Sequence, residues 1–146
     1  MAESRTNDTM TFDWPTTLPV VQVRVARPVA SLESILRFYR DGLGLEVIGS
    51  FEGHAGYSGL MLGLPGNAYH LEFTEHEKGS ACPAPSMDNL LVFYIPDKQA
   101  IERLTERLIS MGHSVVDPEN PYWAEHGVTF EDPEGWRVVL MNTKGI

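Results

Sequence analysis

Two stretches with the same order decide the fold: Val20-Val21-Gln22-Val23-Arg24-Val25 leading to Ser31-Leu32-Glu33, and Leu90-Leu91-Val92-Phe93-Tyr94-Ile95 leading to Pro96-Asp97. Each begins as an apolar or β-branched run and ends in a residue that caps helices, which predicts a strand followed by a helix. After Ser31, the residues Leu32, Ile35, Leu36 and Tyr39 lie at i, i+3, i+4 and i+7, one apolar stripe. Gly42 and Gly44 stand where a left-handed turn ends that helix. After Asp97 the stripe is Ile101, Leu104, Leu108 and Met111, ended by Gly112. Strands are expected over 18–27, Leu45–Phe51, Tyr57–Leu62 and Ala68–Thr74 in the first half, the last two joined by a turn at Leu64-Pro65-Gly66-Asn67. The second half repeats this with Leu90–Ile95, His113–Val116, Gly127–Glu131 and Trp136–Met141, the last pair joined by a type I turn at Asp132-Pro133-Glu134-Gly135. The two helix caps are 66 residues apart, nearly half the chain. The reading is one α+β domain over 18–146. It consists of a module at about 18–74, a linker at 75–89 and a module at about 90–142, preceded by a flexible tail at 1–17.

Composition bounds the function. The chain has 146 residues, of which 11 are basic and 20 acidic, a formal net charge of −9. That balance argues against nucleic acid as a partner, because a phosphate-backbone binder needs a basic face. A single cysteine, Cys82, excludes an internal disulfide and a thiolate zinc cluster. No apolar run approaches the roughly 20 residues that span a bilayer. The first residues lack a signal-peptide pattern, so a cytoplasmic location with no membrane partner is expected.

Strand parity separates two faces. Val21, Val23 and Val25 alternate with Gln22, Arg24 and Ala26; Tyr69, Leu71 and Phe73 alternate with His70, Glu72 and Thr74. The odd faces are expected to lie under a helix. The even faces form either a plain solvated sheet face or a polar concave surface carrying Arg24, His70 and Glu72.

The stretches Val25-Ala-Arg-Pro-Val-Ala-Ser-Leu32, Phe38-Tyr-Arg-Asp-Gly-Leu-Gly-Leu45 and Phe130-Glu-Asp-Pro-Glu-Gly-Trp-Arg-Val-Val-Leu140 together resemble the vicinal oxygen chelate superfamily, the glyoxalase/bleomycin-resistance/dioxygenase proteins. Small glyoxalase-like members carrying Asn-Pro-Tyr-Trp, here Asn120 to Trp123, look most similar. The resemblance covers about residues 18–142 and implies two βαβββ modules, with curled mixed sheets enclosing a cavity and helices on the outer face. It also implies a homodimer. Metal-dependent members hold a divalent ion on the first, fourth, fifth and eighth strands, and those positions fall on Arg24, Glu72, Leu90 or Leu91, and Val139. Of these only Glu72 can ligate, since a guanidinium has no lone pair to offer. No metal and no cofactor are therefore expected.

Two functions compete. The first is a metal-free binding protein similar to the bleomycin-resistance dimers, which trap a cationic drug in acidic, aromatic-lined clefts. Arg24, His70, Glu72, Tyr94, Trp123 and Arg137 would then contact a small-molecule ligand. Arg137 either reaches the cavity or flanks Trp136 at its rim. The second is a glyoxalase-like lyase, isomerase or hydrolase with Glu72 as general base beside His70. An Arg24 guanidinium next to Glu72 stabilises the carboxylate and weakens it as a base, which ranks binding above catalysis.

Overall fold

A computed structural model describes residues 17–64, 66–67, 69–79 and 82–146. All but the last residue of the expected tail lie outside these, as do Pro65 and Ala68. The first half contains β1 (Val23–Pro28), α1 (Leu32–Leu36), a π-helical continuation over Arg37–Gly42, β2 (Glu46–His54), β3 (Tyr57–Gly63) and β4 (Tyr69–His76). The second contains β5 (Leu90–Tyr94), α2 (Lys98–Ser110), β6 (Val115–Val116), α3 (Tyr122–Glu125), β7 (Gly127–Glu131) and β8 (Arg137–Met141). The linker is shorter than expected, because β4 runs on through Glu75 and His76. Tyr122 and Trp123 open the short α3.

Each half makes one four-stranded mixed sheet, ordered β1-β4-β3-β2 and β5-β8-β7-β6. In both, the first strand runs parallel to the last and the other pairs are antiparallel. Among the described residues no strand of one sheet pairs with the other, so the sheets are not closed around a common interior as the resemblance implied.

Local chemistry sets the helices. The Ser31 hydroxyl accepts from Ser34 N–H at 3.2 Å, and Asp97 accepts from Gln99 and Ala100 N–H at 3.0 and 3.3 Å. The first helix then widens: Leu43 N–H reaches back to Phe38 O at 3.0 Å, an i to i+5 bond. Phe38 and Tyr39 stand at i+3 and i+4 from the buried Ile35, so both face the core. The buried stripe is Ile35, Phe38, Tyr39 and Gly42, while Leu32 and Leu36 of the expected stripe are half-buried. Each helix also caps the other's end. Arg37 Nη2 donates to Met111 O and Arg107 Nε donates to Gly42 O, both at 2.9 Å. A Cβ on Gly42 would come within 2.5 Å of the buried Leu108 Cδ2, so glycine there allows the two helices to approach.

One core serves both halves. Ile35, Phe38, Leu71 and Phe73 from the first pack with Ile101, Leu108, Phe130 and Leu140 from the second. In β4 the odd face is buried as expected, but β1 corrects the expectation. Val23 is 40% and Val25 61% exposed, because β1 is an edge strand whose odd face opens on the seam between the halves rather than under a helix.

Candidate functional site

Parallel pairing aligns Arg24 with His70 and Ala26 with Glu72, so side chains at these partnered positions share one face of the sheet. Arg24 straddles its neighbours. Its Nη1 donates to Glu72 Oε1 at 3.4 Å, and Nη2 lies 3.5 Å from His70 Nδ1. Gln22 Nε2 extends the row, 3.4 Å from His70 Nε2. The β3 register puts Met61 opposite Glu72, and so Gly59 and Gly63 lie on this same face. These glycines clear its floor: a Cβ on Gly59 would meet the Phe51 ring at 2.5 Å, and one on Gly63 would meet Ile48 Cδ1 at 3.1 Å. The result is an open face with a polar row beside an apolar shelf. The Arg24 side chain is 39% exposed and Glu72 16%, so the pair keeps part of its hydration.

The positions implied for a metal do not fit one. Arg24 is a cation, Val139 is fully buried, and Val92 pairs with it across the strands. Leu91 pairs with Val138 on the core side, whereas Leu90 shares the face of Arg137. Among the described residues no three His, Cys, Asp or Glu side chains converge as a metal ion would require.

The other candidates are dispersed. Arg137 lines a cavity in the seam, but its guanidinium is occupied. It pairs with Glu131 at 3.0 Å, donates to Asp117 O at 2.9 Å and contacts Met87 Sδ at 3.3 Å. Tyr94 is half-exposed at the end of β5 and lines a second seam cavity. Trp123 lies against Tyr122, ring centroids 4.9 Å apart, away from both cavities.

A buried cluster that the sequence reading passed over joins the halves. Asp132 Oδ2 accepts from Arg27 Nη2 and from the Tyr39 hydroxyl, each at 2.8 Å. Its Oδ1 accepts from Glu134 and Trp136 N–H at 2.8 and 3.0 Å, which fixes the turn before β8. The Arg27 guanidinium lies over the rings of Trp136 and Phe73, 4.5 and 5.1 Å from their centroids. Burial, then the Asp132 charge, hold the Tyr39 phenol well above its ordinary range, so it remains a donor. The signal was Arg27 itself, a charge placed in the apolar parity of Val21, Val23 and Val25.

Comparison with known proteins places these features. Residues 23–74 match the YycE-like N-terminal domain model, and residues 88–142 match the YycE-like C-terminal domain model. The chain is 54% identical over 125 residues to the uncharacterised YycE protein of Bacillus subtilis, covering 86% of this chain and 90% of that protein. The crystal structure of a Bacillus subtilis YycE protein superposes with a TM-score of 0.85 at 51% identity, over 90% of this chain and 96% of that one. Leishmania major glyoxalase I shares the fold, with a TM-score of 0.66 at 18% identity over 83% and 85% of the two chains. So does TnmS3, an antibiotic-binding protein from Streptomyces sp. CB03234, with 0.61 at 22% over 87% and 98%.

Proposed function

The chain belongs to the YycE-like family of the vicinal oxygen chelate superfamily, and we propose that it is a metal-free protein that binds a small molecule on the open face carrying Arg24, His70 and Glu72. The observation that carries this reading is the placement of Arg24. It stands at the first metal-ligand position that the resemblance implies and reaches Glu72 at the second, so an ion pair replaces two ligands. Both contacts of Arg24 are long and its side chain is partly exposed, which leaves donors free for a ligand's oxygen atoms. The apolar shelf over Gly59 and Gly63 offers a surface for the ligand's body. An antibiotic-binding protein of the same fold supports binding as a use of this fold. Arg24 on Glu72 counts against Glu72 as a general base, so catalysis ranks second. The proposal includes a cytoplasmic homodimer, with a second copy completing a sheet edge left free here.

A thermal-shift screen of small molecules tests this reading. Ligands should raise the melting temperature of the wild type and lose that effect in Arg24→Gln and Glu72→Gln. Ligands that stabilise wild type and both variants equally would move the site elsewhere.

A further inference from the structure

We propose that the seam between the two halves is a separate ligand site, adjoining the Arg24–Glu72 face, and that it takes an uncharged, elongated lipophile. Two cavities of about 390 and 410 Å³ lie along the seam with Leu91 lining both, and the proposal takes them as two lobes of one cleft. Each alone lies within the size range of small-molecule sites. Val25 and Tyr94 at the rim are 61% and 48% exposed, whereas Leu71 and Leu140 on the floor are 6% and 1% exposed. A cleft that falls so steeply suits a slender chain. A helix about 10 Å across could not reach that floor.

Charge selects the class of ligand. Arg27, Arg137 and Glu72 line the first lobe, and each has an opposite charge beside it: Arg27 has Asp132 at 2.8 Å, Arg137 has Glu131 at 3.0 Å and, more loosely, Glu72 has Arg24 at 3.4 Å. An ion entering the lobe would give up water and find no unmatched counter-charge. An uncharged body meets no such penalty, and the second lobe offers it Tyr69, Phe93 and Leu104. The slot therefore discriminates against both fatty anions and fatty amines.

Titration with Nile red, an uncharged dye, tests this directly. The wild type should bind about one dye per chain, and 1-decanol should displace it at concentrations about tenfold below decanoate or decylamine. Leu91→Trp, which fills the junction of the lobes, should weaken dye binding about tenfold or more. Should that variant fail to fold, Val25→Trp at the exposed rim makes the same test. Absence of saturable binding, equal displacement by the charged chains, or unchanged affinity in a folded junction or rim variant would each overturn the proposal. So would dye binding that disappears as chains associate, because the cleft would then be filled by a second copy.

Discussion

Asp132 accepts four hydrogen bonds with a side chain closed to water, so every one of its lone pairs depends on the protein. Removing one partner from such a buried pair leaves an uncompensated charge, at a cost of about 3–5 kcal/mol. Arg27→Met and Asp132→Asn should each lower stability by that order in denaturant unfolding, and values within about 0.5 kcal/mol of wild type would contradict the assignment. The Arg24–Glu72 pair differs in kind. It is longer and partly hydrated, so its net worth to folding is about 0–1 kcal/mol, and in the proposed function its use lies with a ligand. His113 packs edge-on against Phe38, ring centroids 4.9 Å apart, with Nε2 buried and unpartnered. Burial, then the Arg37 charge, push its imidazole below the ordinary value, so the folded state resists protonation. An unfolded histidine titrates near 6.5, so this contribution is complete above that pH and is lost as pH falls towards the folded value. Denaturant midpoints between pH 7.5 and 5 should fall less for His113→Leu than for wild type; parallel slopes would show that His113 does not report acid.

The helix pair shows which features of the elements can be read from sequence. Ser31 and Asp97 are legible as caps because a cap is local chemistry within three residues. Phe38 was passed over because the stripe was drawn through Leu32 and Leu36, although Phe38 stands at i+3 from Ile35 and shares its buried face. Strand order and parity were legible for β4, but β1 shares that parity and stays exposed, since edge position is a tertiary fact. The Arg27–Asp132 pair spans 105 residues and left only a charge in an apolar row as its trace. The Arg24–Glu72 contact was anticipated from their shared parity and from the two metal-ligand positions that the resemblance implies for them. The mutual arginine caps follow from packing alone. Each places a cation at a helix C-terminus, worth about 0.3–1 kcal/mol, together with a hydrogen bond of similar size. Arg37→Ala and Arg107→Ala should each cost about 1 kcal/mol by denaturant unfolding, and a neutral Arg107→Ala would show that the cap on Gly42 is incidental.

At the scale of the molecule, two half-chains share one core but leave their sheets unclosed, and among the described residues β1, β2, β5 and β6 are the edge strands. Free edges invite pairing, and a twofold dimer is the commonest way to cover them. Light scattering at micromolar concentration should give twice 16.3 kDa, and a monomer mass would contradict the dimer. The proposed binding without a metal rests on the open face, the ion pair in place of ligands and the apolar shelf. Calorimetric titration of the purified, chelator-treated protein with zinc, nickel and iron(II) tests that claim most directly. The account predicts no stoichiometric binding of any of them; one tight ion per chain, lost in Glu72→Gln, would contradict it.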